Sequence, residues 1–284
     1  MKKAFLLLAA VVCSVLAGCA SGPSPSGTKA EVGDAGIGFG YYPLDPMPVK
    51  TTVTDKAAVL KLLPDETIRM AIGEELREGG ITFGPARTGV ANRSYVVIVD
   101  YMKYTTQVLP AKTYIDSTTR KKLAVLSPKA EEVNASVPIY IGIGLRMTAS
   151  IRVLKGEVDL GNLFSLGAAA KAEQISGQLI VQNMGIGSRT TTDLLPMPSS
   201  ITDSSIQAAI VALSAIKAKV YDAEDPVPRV LGIYNTLGGT QETINMIIGD
   251  VLLNAPAFPP GPGTAKTSQT TQPAAGAVAA GAAQ

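Results

Sequence analysis

The clearest pattern in the chain is a strict alternation of apolar residues with small or polar residues over positions 137–153. Every odd position in this range is apolar, from Val137 to Val153. Because successive side chains of a strand point to opposite faces, the alternation predicts one long β-strand with a buried row. At about 3.3 Å per residue this strand would exceed ~50 Å, so we expect Gly142 and Gly144 to mark a bend or bulge.

Three further segments have the composition of strands. Residues 95–105 are rich in valine, isoleucine and tyrosine, residues 174–184 alternate less cleanly, and residues 229–234 form a short apolar run. Between the first of these and the long strand, residues 117–136 are polar and contain Arg120-Lys121-Lys122. We interpret that basic triplet as a solvated loop rather than a binding patch.

Helical spacing of apolar residues predicts three amphipathic helices. The first lies within residues 60–78, starts near Pro64-Asp65-Glu66 and stops at Gly79-Gly80. The second starts at a capping box, Ser204-Ser205-Ile206-Gln207, and the third is capped by Thr240. A shorter helix is expected in the small, apolar residues 160–172. Together these elements predict an α+β fold, an antiparallel β-sheet with one very long strand, covered on one face by about three amphipathic helices.

The two ends of the chain have the composition of flexible segments. Residues 20–50 start with a serine-, glycine- and proline-rich stretch, and a glycine-rich run then leads into Tyr41-Tyr42, whose rings we expect to dock on the body. Residues 255–284 follow the pattern of a disordered tail. The predicted organisation is a signal peptide (1–18), a lipidated flexible tether (19–50), a single α+β domain (51–254) and a disordered tail (255–284).

The first 19 residues have the layout of an export signal. Lys2 and Lys3 precede an apolar run over residues 4–16, which is shorter than the about 20 residues of a membrane-spanning helix. The run ends in Leu16-Ala17-Gly18-Cys19, which resembles the lipobox of bacterial lipoproteins. The resemblance implies cleavage between Gly18 and Cys19, a diacylglycerol on the Cys19 sulfur, and a fatty acid such as palmitate on the new amine. Ala20, where an aspartate commonly retains such proteins in the inner membrane, implies the outer membrane, with the body facing the periplasm.

Composition excludes several chemistries. The chain has no histidine, and its two cysteines are Cys13, which leaves with the signal, and Cys19. The mature protein therefore has no disulfide, no histidine-based catalytic triad and no histidine-ligated zinc, and we expect neither metal nor cofactor. Without Lys2 and Lys3 the 25 basic residues become 23 against 23 acidic ones, and this balance argues against nucleic-acid binding.

Candidates for catalysis are weak. Ser214-Ala215-Ile216-Lys217 has the Ser-x-x-Lys spacing of penicillin-recognising enzymes but lacks their companion motifs. The pairs Glu74-Glu75 and Glu131-Glu132 fit solvated faces, and Asp222-Ala223-Glu224-Asp225 fits a turn better than a calcium loop. We therefore predict no enzyme and no catalytic residue.

Three functions remain open on the sequence alone. The first is a lipid-anchored structural or assembly factor that binds other envelope proteins, with a homo-oligomer left open. The second is an oligomeric outer-membrane secretion pore that uses a β-hairpin at residues 137–187, whose alternation suits a strand between lipid and water. Lipid-anchored secretion channels of the curli-exporter type share this gross layout. The third is an envelope hydrolase.

Overall fold

The computed structural model describes residues 40–76, 80–84, 87–126, 129–187, 195–222, 225–239 and 241–260. All of these residues belong to one structural unit that spans residues 35–284. The predicted signal and lipidation positions, Gly18 and Cys19, lie outside the described residues, as does the predicted helix cap Thr240.

Strands dominate the described part of the chain, which also contains four α-helices. The strands are β1 (Gly40–Pro48), β2 (Lys50–Thr51), β3 (Asp65–Glu75), β4 (Ile81–Gly84), β5 (Thr88–Val90), β6 (Ser94–Ile115), β7 (Lys122–Leu126), β8 (Ala135–Val153), β9 (Glu157–Asp159), β10 (Ile175–Met184), β11 (Ile186–Gly187), β12 (Ser199–Ser200), β13 (Asp225–Pro226), β14 (Arg229–Asn235) and β15 (Ala257–Phe258). The helices are α1 (Lys56–Lys61), α2 (Leu163–Lys171), α3 (Asp203–Lys219) and α4 (Gln241–Leu253). The predicted α+β fold is confirmed.

One large antiparallel sheet organises these elements. Its main path is β1-β14-β8-β6-β3-β4, while β10 and β12 branch from β8 and β7 pairs with β6. The predicted long strand is β8, with 19 residues, and it pairs with the 22-residue β6 in unbroken register. The opposite edge of β8 is shared, because β14 pairs with it from Ile139 to Gly142 and β10 pairs with it from Gly144 to Val153.

The apolar row of β8 forms the centre of the core. Every odd position from Val137 to Val153 is buried, none of them more than 2 % exposed. The same hydrophobic cluster contains buried residues from α2, α3 and α4, namely Leu166, Ala169, Ile206, Ala209, Leu213, Ile216, Ile244, Ile247 and Val251. The three helices therefore supply the apolar side chains that cover this face of the sheet, as the α+β prediction requires.

The other face of the sheet is partly closed by β1. Its Tyr41 ring packs on Tyr140 of β8 with centroids 5.6 Å apart, and its Leu44 carbonyl oxygen accepts from Arg146. These two even positions of β8 are also buried. The middle of β8 is thus enclosed on both faces.

Gly142 and Gly144 serve a different purpose from the bulge we expected. The ladder between β6 and β8 passes through both glycines without a register shift, and the nearby bulge lies in β14, between Val230 and Gly232. A Cβ atom at Gly144 would overlap the carbonyl oxygen of Tyr101, and one at Gly142 would overlap that of Lys103. These glycines therefore allow the β6 backbone to approach β8 more closely than a side chain would permit.

The helix predicted over residues 60–78 is wrong. The chain instead forms the short helix α1, capped by Asp55, and then the 11-residue strand β3, which pairs with β6. Ile68 and Ile72 are four residues apart, a spacing that one face of a helix and one row of a strand share. Pairing with the long neighbour β6 decides between them, and it leaves Ile68 60 % exposed.

The predicted domain boundaries also need correction. Residues 40–48, assigned above to the tether, form β1 of the main sheet, and residues 257–258, assigned to the tail, form β15 beside β2. The sequence pattern of β1 does not indicate a strand, because it contains Pro43, Pro46 and Pro48 and proline is uncommon within strands. The polar segment 117–136 likewise contains the short strand β7.

The remaining elements agree closely with the sequence patterns. The strands predicted at 95–105, 174–184 and 229–234 correspond to β6, β10 and β14, and the short helix predicted within 160–172 is α2. The second amphipathic helix is α3, but its capping box is formed by Thr202 and Ser205 rather than starting at Ser204. The third is α4.

We expect Gly144→Ala to lower the free energy of unfolding by about 1–3 kcal/mol, because the added methyl group forces the two longest strands apart. Urea unfolding of the variant and the wild type measures this difference. Gly249→Ala is the matched control: Gly249 lies in α4 with open space around its Cα, so alanine should leave stability unchanged or raise it. Equal unfolding midpoints for Gly144→Ala and wild type would contradict the close approach.

Candidate functional site

A buried ion pair lies in the middle of the sheet. Asp100 of β6 and Arg146 of β8 are directly opposite in the ladder, so their side chains share one face. Arg146 Nε donates to Asp100 Oδ1 at 2.7 Å, and Nη2 donates to Oδ2 at 2.6 Å. The Arg146 side chain is 4 % exposed and that of Asp100 is 0 % exposed, so water cannot solvate either charge. The contact is therefore a bidentate pair that must be satisfied from within the protein.

Two neighbouring strands complete the hydrogen bonding of this pair. Arg146 Nη1 donates to the carbonyl oxygen of Leu44 in β1 at 2.7 Å, and Nη2 donates to that of Leu231 in β14 at 3.1 Å. The Tyr41 hydroxyl of β1 donates to Asp100 Oδ2. Four hydrogen bonds thus start from the guanidinium, whose five N–H groups must be satisfied when it is buried. The cluster joins β1, β14, β8 and β6.

Aromatic and sulfur-containing side chains pack beside the ion pair on the same face. Met102, Tyr104, Tyr140, Met184 and Leu231 form a small buried cluster against which Tyr41 packs. The Tyr140 ring meets Tyr41 and Tyr104 edge-on, with centroids 5.6 and 5.2 Å apart. Burial and the adjacent Asp100 carboxylate together raise the pKa of Tyr41 well above its usual value, against the opposing effect of Arg146.

The ion pair is not arranged for chemistry on a substrate. Both Asp100 oxygens already accept hydrogen bonds, and Arg146 is held on three sides by Asp100, Leu44 and Leu231. No side of the pair opens to water. Its role in the fold is to fix β1, a strand rich in proline, against the centre of the sheet.

An open groove lies immediately beside the segment that Arg146 holds. It has a volume of about 620 Å³. Its lining comes from β1, from the end of β10 with β11, and from the start of β14: Asp45, Pro46, Gln182, Asn183, Gly185, Ile186, Gly187, Val227 and Arg229. This volume is within the range of small-molecule sites, about 300–1,000 Å³.

The groove carries two opposite charges that the fold leaves unused. Within the residues that the structure describes, the side chains of Asp45 and Arg229 make no hydrogen bond and no ion pair. Asp45 is exposed and Arg229 is half-buried. Gln182 also lines the groove, and its side-chain amide likewise makes no hydrogen bond within the described residues. The groove therefore presents an acceptor, a cationic donor and an amide to whatever enters it.

The structure does not bring the sequence-derived catalytic candidates together. Ser214 sits in the middle of α3 and donates to the carbonyl oxygen of Ile210 at 3.0 Å. Lys217 lies 3.3 Å from a Glu66 oxygen and is paired with that carboxylate. Each member of the Ser-x-x-Lys pair thus has a structural partner of its own.

One member of each glutamate pair and two residues of the basic triplet have partners within the protein. Glu74 pairs with Arg93 at 2.6 Å, and Glu132 pairs with Lys112 at 2.9 Å. In the basic triplet, Lys121 pairs with Glu242, and the Lys122 amine donates to the carbonyl oxygen of Leu237.

No metal site is found in the described part of the chain. Across those residues, no group of three or more histidine, cysteine, aspartate or glutamate side chains is placed to hold an ion. The acidic sequence at 222–225 lies partly outside the described residues, and its Asp225 pairs with Gly187 between β13 and β11. Separately, none of the described helices combines the length and the apolar character needed to cross a membrane.

Sequence reasoning missed both the ion pair and the groove. Asp100 is the one acidic residue within 95–105, and Arg146 interrupts the apolar pattern at 137–153; two such charges of opposite sign are a usable signal for pairing strands. The groove residues had no such signal, because they come from three distant segments. Asp45 in particular had been placed in the tether.

Comparisons with known proteins leave the fold and the groove as the basis for a functional proposal. No protein-family model, no curated protein and no solved structure matches this chain. The chain is an α+β protein with a buried, closed ion pair and an adjacent groove that Asp45 and Arg229 line.

We expect Arg146→Met to lower the free energy of unfolding by about 3–5 kcal/mol, because it leaves Asp100 buried without its partner. Asp100→Leu should do the same, and the double variant should be far less destabilised than the two single effects combined. Guanidinium unfolding of all three variants measures the coupling. Arg152→Met, an exposed position on the same face of β8, is the control and should change stability little. Simple addition of the two single effects would contradict a coupled pair.

Stability should also fall at alkaline pH. Burial raises the pKa of four of the nine tyrosines, Tyr41, Tyr42, Tyr101 and Tyr140. Their protons are released more easily in the unfolded chain, near pH 10, so their stabilisation is full below about pH 10 and is lost as pH rises above it.

A tyrosinate absorbance titration, followed in parallel by circular dichroism, measures this. The expected result is an early rise from part of the tyrosines and a second rise that coincides with unfolding. Ionisation of all nine near pH 10 in a protein that stays folded would contradict the prediction.

Proposed function

We propose that this protein is an outer-membrane-anchored periplasmic lipoprotein with a structural or assembly role, in which the folded body binds other molecules of the cell envelope. The observation that carries the proposal is the sequence Leu16-Ala17-Gly18-Cys19 at the end of an apolar run. Lipid on Cys19 would anchor the chain, since each buried CH₂ contributes about 0.8 kcal/mol and two or three acyl chains suffice. Ala20 supports the outer membrane as the destination.

The position of the body along the chain supports such an anchor. The first strand of the described residues, β1, starts at Gly40, so residues 20–39 separate the proposed lipid from that strand. At about 3.3–3.6 Å per residue, that segment spans at most roughly 70 Å. The body could therefore reach partners near the membrane without any insertion of its own.

The proposal gives the body a binding role and no reaction. The absence of histidine, the separate partners of Ser214 and Lys217, and the closed environment of Asp100 all favour binding over catalysis. The charged groove is the surface on which we place the binding of an envelope molecule. Other envelope proteins, or a second copy of this chain, are the proposed partners of the body as a whole.

Burial of the β8 row favours this role over a secretion pore. A pore built on residues 137–187 would place that row against lipid. In this fold the same residues are buried in one hydrophobic cluster with side chains of α2, α3 and α4. No feature of the described residues supports the hydrolase alternative in its place.

We expect Cys19→Ala to abolish acylation completely and to leave the unprocessed precursor, because the lipid is attached to the Cys19 sulfur. Labelling of growing cells with a fatty acid, followed by density-gradient separation of the membranes, measures both lipidation and location. Cys13→Ala is the matched control, since Cys13 lies within the apolar run and should be removed with the signal. Fatty-acid label on the Cys19→Ala protein, or its absence from the wild type, would refute the anchor.

A further inference from the structure

The groove lies where the sheet divides. β10 ends at Met184 opposite Gly144 of β8, and β14 begins at Arg229 opposite Gly142. Both strands run antiparallel to β8 along the same edge, so the end of β10 and the start of β14 are neighbours there. The division is closed at its base, where Val227 N donates to the carbonyl oxygen of Gly185 at 2.8 Å and β11 pairs with β13. A ligand in the groove would thus contact strand ends that are fixed to one another.

Both walls of the groove are held in place before any ligand arrives. On one side the Arg146 guanidinium fixes Leu44, the neighbour of Asp45. On the other side the Asn183 amide donates to the carbonyl oxygen of Ile186 at 2.5 Å and accepts from its N–H at 2.8 Å. Such preorganisation reduces the entropy lost on binding. The free side chains of Asp45, Gln182 and Arg229 therefore project from a rigid frame.

The charges of the groove select a class of ligand. The Arg229 guanidinium has a planar set of donors that matches a carboxylate, and Asp45 is an acceptor for an ammonium group. A simple anion would be attracted by Arg229 but repelled by Asp45. A simple cation would be attracted by Asp45 but repelled by Arg229. A ligand with one carboxylate and one ammonium satisfies both, and the Gln182 amide can bond peptide groups between them.

We propose that this groove binds a short peptide with free ends, whose carboxylate pairs with Arg229 and whose amino group pairs with Asp45. The inference rests on the binding role proposed above and names the ligand class of that same groove. Arg229 and Asp45 are the specificity-determining residues. Asp45 and Arg229 form no ion pair with each other, so each is available to one end of the ligand.

Calorimetric titration of the full-length lipoprotein in detergent tests the proposal. The probes are alanine and its linear di-, tri- and tetrapeptides with free ends, each compared with its C-terminal amide and its N-acetyl form. The wild type should bind at least one free peptide saturably and should bind both capped forms at least tenfold more weakly. The single amino acid alanine tests whether the groove is a site for free amino acids rather than peptides. If alanine binds more tightly than every peptide, the peptide assignment is overturned.

Substitution of Arg229 or of Asp45 should each remove the preference for the free peptide over one of its two capped forms. Arg229→Gln should bind the free peptide and its amide equally, and Asp45→Asn should bind the free peptide and its N-acetyl form equally. Arg152→Gln, an exposed arginine outside the groove, is the control and should behave as the wild type. Because the capped peptides probe the same contacts in the unaltered protein, a variant that fails to fold does not remove the test.

The proposal is overturned if no free peptide binds the wild type saturably, or if the caps weaken binding by less than tenfold. Equal losses in Arg229→Gln and Arg152→Gln would also overturn it. These outcomes are separate from fatty-acid labelling at Cys19, so the anchor can stand when the peptide site fails, and the reverse.

Discussion

The buried pair of Arg146 and Asp100 is the interaction on which the arrangement of the sheet depends. Four strands meet at it, because Arg146 and Asp100 belong to β8 and β6 while their remaining partners come from β1 and β14. A buried ion pair seldom stabilises a protein more than well-packed apolar side chains would. Removing one partner, however, leaves an unpaired charge in the interior. Its contribution is therefore to select one alignment of the strands. A slip of one residue between β6 and β8 would turn Arg146 into the apolar core.

The position of β1 and the groove both follow from that alignment. Pro43, Pro46 and Pro48 lack the N–H groups with which a strand holds its neighbour, and the pairing of β1 with β14 is interrupted between Pro43 and Met47. At this interruption the Leu44 carbonyl oxygen accepts from Arg146. The ion pair thus supplies a contact that the strand ladder does not make. Asp45, the next residue, is left facing the groove.

The sequence predicted those parts of the fold whose pattern is local. The alternation along β8 and the apolar face of α4 are each readable within one segment, and the structure confirms both. Segment 60–78 was misassigned because its apolar spacing fits a helix and a strand equally, and only pairing with β6 distinguishes them. β1 was missed because its prolines hide a strand whose partners lie nearly 200 residues away in β14. The groove depends on all of these long-range pairings, so no local pattern could reveal it.

If Cys19 carries the lipid, the way in which β1 is held has a mechanical meaning. Among the described residues β1 is the strand that follows the proposed anchor, so a force between membrane and body would reach it before the other described strands. Its ladder to β14 is interrupted, and hydrogen bonds from Tyr41 and to Leu44 connect it instead to the ion pair at the centre of the sheet. Load on β1 is thereby shared with β6 and β8, the two longest strands of the fold. The same connection holds Asp45 at the groove, so the attachment of β1 and the geometry of the proposed binding groove depend on one pair of buried charges.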